Sequence, residues 1–445
     1  MKNVSIWKSS VKQLNHSKLR SDTECDVLII GGGITGVSTL YHLSSSNLKT
    51  ILVEQNKIGW SVTGNNTGKL NYLQNDLIDK IRKNYNDEVA SLYLKSQIKT
   101  INNIVKTIKD KKIDCDLKKV NTYLYTNKES EAIKLMNLRV FLEKNGIKTI
   151  KKSLDFIDNK YSFCALDTYV LNPIKLLYGL IRVNDCIYED TCIRKIIKDH
   201  NSFVCYTNEC KIRAKWVILA SHYPYFNIPF LFPLKASLEK SYLSFSKSNI
   251  NNISLINYSS PFKSFASYEN GLIYLSNNHS SCNKVDESKN FNLLLNDLNK
   301  LKLSPLNLWS NIDIMTSDGL PYIGILKEKM LIGTGYNTWG LTNGFLAGKI
   351  LSDIILNRNN EYISLFDPNR FNRKIFLGAF INAFKSISGY ISGLKMGTYT
   401  CPHMGCKLIY NRFEKTWDCP CHGSRFDENG KCISSPSNRD ISLKK

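Results

Sequence analysis

Near one end of the chain, four residues stand at a spacing that can hold a redox metal centre. They are Cys401 and His403 in Cys-Pro-His-Met-Gly-Cys, and Cys419 and His422 in Cys-Pro-Cys-His-Gly-Ser. Two thiolates and two imidazoles, ordered Cys-x-His and then Cys-x-x-His, suit a [2Fe–2S] cluster with sulfur ligands on one iron and nitrogen ligands on the other. Neutral imidazole in place of thiolate removes negative charge from the cluster. The potential then rises to roughly −150 to +300 mV, well above an all-cysteine plant-type ferredoxin. Such a group carries one electron at a time and needs a source of electrons. The same donors can also bind zinc tetrahedrally, but zinc fingers and ribbons more often show closely spaced cysteine pairs.

A second chemical signal lies near the other end. Asp26-Val-Leu-Ile-Ile30 is an apolar run that reads as a buried parallel strand, and it feeds into Gly31-Gly-Gly-Ile-Thr-Gly36. A helical pattern follows, with Val37, Leu40, Tyr41 and Leu43 apolar, then a strand Thr50–Val53 and the acid Glu54. Strand, G-x-G-x-x-G, helix, strand and acid together form a dinucleotide-binding fingerprint. Gly31 permits the tight turn, Gly33 lets backbone approach a pyrophosphate, and Gly36 allows close helix–strand packing. The phosphates meet the positive end of the helix, and Glu54 is placed to accept from an adenosine ribose. These features leave FAD and NAD both open. The polar, glycine-rich stretch Ile58–Leu70 favours FAD, since it suits a flavin ring and ribityl chain passing along backbone. Far downstream, a strand at 330–335 and a helix from about Leu341 to Leu356 would aim a helix start at the flavin.

These segments carry a resemblance. The residues Asp26–Gly36, Thr63–Leu70, Trp216–Pro224, Trp309–Gly324, Gly333–Gly348 and Cys401–Phe426 resemble an FAD-dependent oxidoreductase of the D-amino-acid-oxidase superfamily with a C-terminal Rieske module. The implied fold class is α/β: a glutathione-reductase-type FAD-binding Rossmann domain, an antiparallel α+β substrate domain and a small C-terminal all-β Rieske-like module. By resemblance, Gly31, Gly33, Gly36 and Glu54 bind the ADP half of FAD, and Cys192 lies against adenine. Thr63, Thr67, Lys69 and Leu70 form the flavin-proximal loop, and Gly340, Leu341 and Thr342 the helix start at the isoalloxazine. Cys401, His403, Cys419 and His422 are the implied cluster ligands. Cys406 and Cys421 are expected to form a disulfide pinning the two ligand loops. One departure stands out: few strands precede the first ligand loop, and only 397–400 could supply one. The module reads as shortened to its cluster-binding half, needing cluster, disulfide and docking for stability.

The elements that must position these groups divide the chain. FAD-binding segments are expected at 1–75, 166–224 and 309–357, a helical substrate region at 76–165 and a substrate-domain sheet at 225–308. A linker follows at 358–396, and the Rieske-like module at 397–445. Helical patterns run through about 78–112 and 130–145, and the apolar-rich stretch 371–394 reads as an amphipathic linker helix packed on the protein, with a membrane-surface role as its alternative. The net charge of +22 over 445 residues is spread as scattered lysines without interleaved aromatics, so no nucleic-acid partner is expected. Charge of this sign can still attract an acidic electron-transfer partner or an anionic membrane. Of the thirteen cysteines, the eight before residue 400 show no pairing pattern and read as thiols of a reducing compartment. No secretory signal or spanning segment is evident, so a cytoplasmic location is expected. No acid–base residue is compelling; His222 and His279 are the candidates, each more readily a structural histidine. The expected activity is oxidation of a small amine or amino acid, with electrons passing singly from FAD to the cluster and on to an external acceptor. A peroxide-forming oxidase with a structural cluster, and a non-catalytic redox sensor, are the alternatives. Oligomeric state is not legible.

Overall fold

The computed structural model describes residues 2–153, 157–182, 185–223, 235–280, 287–396 and 398–442. Three sheets organise these residues. The first has eight strands, and its main path runs Tyr322–Lys327, Met330–Thr334, Lys211–Leu219, Thr23–Ile30, Thr50–Val53 and Cys186–Tyr188. Thr23–Ile30 lies at its centre, parallel to both neighbours. Val27 to Ile30 are accordingly buried, which is why that run is apolar without alternation. The helix Ile34–Leu43 leaves this strand and packs on Gly340–Ile355. A Cβ on Gly344 would fall 2.4 Å from Ile34, and one on Gly348 2.3 Å from Ser38, so glycine lets the two helices approach closely.

The second sheet has nine strands. Its main path runs Pro305–Thr316, Ala236–Lys247, Gly271–Ser280, Ser264–Tyr268, Ile253–Asn257, Lys118–Thr126, Tyr161–Val170 and Lys69–Leu70. It is antiparallel except where Ile253–Asn257 runs parallel to Lys118–Thr126. Three boundaries differ from expectation, the first because Tyr161–Val170 carries 166–170 into this sheet. Pro305–Thr316 pairs along the length of Ala236–Lys247, so residues 309–316 belong to this sheet rather than to the FAD-binding segment. Lys69–Leu70 likewise pairs with Tyr161–Val170. In each place a short stretch crosses between layers, and local composition does not reveal which layer takes it. Helices Leu77–Asn84, Asp87–Asp110 and Glu129–Lys144 occupy the regions read as helical.

The third sheet is small: Ile409–Asn411, Thr416–Asp418, Arg425–Phe426 and Cys432–Ser434. Gly397, the start of the expected leading strand, lies outside the described residues, and Thr400 forms only an isolated bridge with Lys407. The helix Arg373–Met396 precedes this module. It was expected to pack on the protein. Ile375 is buried, and Gly378 sits so close to Ser317 that a Cβ would meet its Oγ at 1.9 Å. Phe376, Leu377, Phe380, Ile381, Phe384, Ile387 and Ile391 are nonetheless exposed, because an apolar stripe need not be the face that the protein covers. Among the described residues, no helix is long and apolar enough to cross a membrane.

Candidate flavin and iron–sulfur sites

Thr23–Ile30 delivers Gly31 at the edge of a cavity. Gly31 has φ +115°, and a Cβ there would sit 2.5 Å from the Ala220 carbonyl oxygen. A Cβ on Gly33 would meet only Thr63 Oγ1, at 3.2 Å, and Gly33 lines the cavity. Gly36 does not line it; a Cβ there would strike the Gly31 carbonyl at 1.9 Å, so this glycine sets the helix against the turn. Thr63 Oγ1 accepts from the Ile34 amide at 3.1 Å. Glu54 is buried, and its two oxygens accept from the Gly32 amide at 2.7 Å and the Asn56 amide at 2.8 Å. Burial raises its carboxyl above the ordinary value, against those two bonds. Cys192 lines the cavity with Glu54, and Gly340, Tyr336 and Thr338 line it too. Thr338 is β-branched yet has φ +71°, a strained conformation held at the lining.

A second cavity is lined by Thr67, Lys69, Asn311, Trp339 and Leu341, and Asp313 and Thr338 line both. Lys69 is buried, with Nζ donating to the Leu255 carbonyl at 3.0 Å and to Ser264 Oγ at 2.5 Å. Burial holds its amine well below the usual lysine range. No ion pair to Lys69 occurs at 4.0 Å or closer among the described residues. Desolvation, and next the neighbouring Glu239, push the Asp313 carboxyl up to about 7, against a hydrogen bond from Asn311 at 3.2 Å. Leu70 and Thr342 are buried but line neither cavity.

Of the two candidate histidines, only His222 reaches the flavin cavity. It is held at φ +62°, its buried Nε2 meets no partner among the described residues, and burial keeps it neutral, down at about 4. His279 instead sits on the second sheet, with Nε2 2.9 Å from Tyr242 Oη and Nδ1 2.9 Å from the Ser280 carbonyl. The amides at the helix start, the buried acid and the orphaned imidazole nitrogen fit an extended, polyvalent anion with a polar ring, as FAD is.

The iron–sulfur site is built from two similar turns. Gly405 donates to the Cys401 carbonyl and Gly423 to the Cys419 carbonyl, each at 3.0 Å, with φ +77° and +74°. Cys401 and Cys419 are both buried, with their thiols within interaction range of each other. His403 and His422 stand nearly perpendicular, ring centroids 5.2 Å apart. Both Nδ1 atoms are buried without partners among the described residues, and burial holds both rings neutral, at about 4. Two orphaned imidazole nitrogens beside two thiols are what a mixed-ligand cluster requires. A disulfide joins Cys406 to Cys421 across a Cα–Cα distance of 6.6 Å. The sulfurs of Cys406, Cys419 and Cys421 also cluster, but two of them are bonded to each other, so that trio is not the ligand set.

The two sites are close neighbours. Ser221 and His222 line the flavin cavity, and the next residue, buried Tyr223, places its ring 6.1 Å from the His422 ring. A Cβ on Gly423 would lie 3.0 Å from Leu238 and 3.5 Å from Ile312, which adjoins Asp313. Ser435 of the small module lines the flavin cavity, and its Oγ donates to the Ser221 carbonyl at 2.8 Å. A buried ionic cluster holds the module to the second sheet. Arg425 meets Glu414 at 2.7 Å and Asp418 at 3.1 Å, while Lys240 meets Asp418 at 2.8 Å. Asp313, Tyr223, Ser435 and this cluster escaped sequence reasoning. Only Asp313 left a trace, as an acid between Ile312 and Ile314 in an alternating strand.

Comparison with known proteins agrees with this geometry. The FAD dependent oxidoreductase (DAO) family matches residues 26–354, and the Rieske [2Fe-2S] domain matches residues 393–444. YhfW of Bacillus subtilis (strain 168), named as a Rieske 2Fe-2S iron–sulfur protein, is 27% identical over 489 residues, covering 97% of this chain and 95% of its own. Gamma-glutamylputrescine oxidoreductase of Escherichia coli (strain K12) is 26% identical over 230 residues, 48% of this chain and 53% of its own. Glycine oxidase from Geobacillus kaustophilus shares the fold, with a TM-score of 0.64 at 16% identity, covering 78% of this chain and 99% of its own. Fold and sites together define a flavin enzyme of redox chemistry that carries an iron–sulfur centre. The chain belongs to the FAD dependent oxidoreductase (DAO) family and ends in a Rieske [2Fe-2S] domain. Its cofactors are FAD and a [2Fe–2S] cluster.

Proposed function

We propose that the chain is a dehydrogenase of a small amine or amino acid that passes electrons singly from FAD to the cluster and on to an external acceptor. The observation that carries this reading is the continuity of Ser221-His222-Tyr223, which leads from the flavin cavity to the ring of His422. Bound FAD supplies a two-electron acceptor, and the bound cluster supplies a one-electron relay. Relatives that act on amines and amino acids support the substrate class.

In this reading the amides of Gly31 to Thr35 hold the pyrophosphate, Glu54 accepts from the ribose and Cys192 flanks the adenine. Thr63, Thr67, Lys69 and Leu70 shape the flavin-proximal loop, and Gly340, Leu341 and Thr342 present a helix start to the flavin ring. Cys401, His403, Cys419 and His422 hold the cluster. Lys69 and Asp313 face the substrate side. A carboxyl titrating near neutral pH can take a proton from a substrate ammonium, leaving the amine lone pair free for oxidation. Buried free thiols at Cys25, Cys115, Cys164, Cys205 and Cys210 support a reducing, cytoplasmic setting.

The test is anaerobic mixing of the holoprotein with a panel of amines and amino acids, followed by flavin absorption and EPR. A substrate that bleaches the flavin should also raise the signal of a reduced cluster, and His422→Ala should bleach without that signal. Rapid peroxide formation in air, equal in wild type and His422→Ala, would show instead that electrons bypass the cluster.

A further inference from the structure

The helix Arg373–Met396 carries an outward face that the flavin and cluster chemistry does not use. Phe376, Phe380, Phe384, Ile387 and Ile391 recur at four-, four-, three- and four-residue steps, and Leu377 and Ile381 flank them. All seven are exposed, from 46% for Leu377 to 72% for Phe384, and Phe371 just before the helix is 78% exposed. At 100° per residue these seven positions span an arc of about 140°. A contiguous apolar stripe of this kind is unusual on a surface facing only water.

The charges beside it indicate what covers it. Arg373 and Lys374 open the helix and are exposed, Lys385 and Lys395 follow in sequence, and the helix contains no aspartate or glutamate. The chain as a whole carries +22. A second copy would bring the same cationic helix against itself with no acid to pair, so self-association through this face is electrostatically opposed. Phenylalanine, isoleucine and leucine on one face, with basic residues and no acids, match an interfacial helix on anionic lipid. The helix is not apolar enough to cross a bilayer.

We propose that this helix seats the protein on the surface of an anionic phospholipid membrane. Its apolar stripe enters the boundary between headgroups and acyl chains, and Arg373 and Lys374 meet lipid phosphates. The anchorage is fixed to the catalytic body through buried Ile375 and the Gly378–Ser317 contact, so the cluster-bearing module that follows in the chain is held beside the membrane.

The test uses full-length holoprotein and sedimentation with vesicles of phosphatidylcholine, with or without phosphatidylglycerol. Wild type is expected to sediment with the anionic vesicles, less with phosphatidylcholine alone, and less as salt rises. Phe380→Glu with Phe384→Glu should weaken binding at least about tenfold while leaving flavin and cluster absorption unchanged. Arg373→Glu with Lys374→Glu gives an independent reading by removing the preference for anionic lipid. Wild type left in the supernatant overturns the proposal, as does a double phenylalanine variant that still sediments fully. A dimer seen by light scattering without vesicle binding, and broken by the phenylalanine substitutions, overturns it in favour of a second copy.

Discussion

Asp313 is an acid whose chemistry departs from its type at the edge of the candidate site. It lines both cavities, and burial with the nearby Glu239 moves its carboxyl up to about 7. A raised carboxyl binds a proton more tightly in the folded state than in the unfolded chain. The stability it lends is therefore complete in acid and is lost as pH climbs from the ordinary carboxylate range through about 7. Asp313→Asn should flatten that decline, as read from denaturant midpoints across this interval in the substrate-free holoprotein. The same substitution should remove the proton acceptor near the substrate, so kcat/KM should fall and lose its inflection near neutral pH. The sequence could not single out this acid, because its meaning depends on which cavities a strand borders. His222 was legible as a candidate because it lies near the expected flavin face, yet its φ and its unpartnered nitrogen emerge only from the packed turn.

At the scale of elements, the nucleotide turn was the most readable part of the chain. Gly36 meets its partner, the Gly31 carbonyl, within one strand–helix unit, so its meaning needs no distant contact. Gly36→Ala would drive a methyl into the Gly31 carbonyl, where backbone cannot yield cheaply. Overpacking of roughly 1–3 kcal/mol is expected, with flavin bound at least about tenfold more weakly. The flavin-to-protein ratio after gel filtration measures this. The ligand loops were equally readable, since each is closed by its own glycine turn. The sheet assignments of Pro305–Thr316 and Lys69–Leu70 were not, because both depend on strands remote in sequence. The outward face of Arg373–Met396 was hidden for a related reason: an amphipathic pattern locates an apolar stripe but does not say whether protein covers it.

For the whole molecule, the decisive contact is the buried ionic cluster between the small module and the second sheet. Burial alone would raise the Glu414 and Asp418 carboxyls, but Arg425 and Lys240 hold both below the ordinary range. Lowered carboxyls stabilise the docked state above their ordinary values, and that contribution drains away as pH falls below about 4. Arg425→Ala removes the guanidinium that both buried carboxylates share, leaving Lys240 as their remaining cation, and should cost up to roughly 3–5 kcal/mol. The loss should appear as faster hydrogen exchange across 409–434, with less change in the strand Thr23–Ile30. Stacked Phe291 and Phe413, with centroids 3.9 Å apart, and Asn438 donating to the Arg194 carbonyl at 3.1 Å anchor the module at further points. Ser435 adds a temporal consequence, because the flavin cavity takes its walls from Ile30 through Ser435. During synthesis, no fragment that stops short of Ser435 can enclose the cofactor with all of these walls. The berth gains that wall some four hundred residues after its first, so its closure waits on the small module.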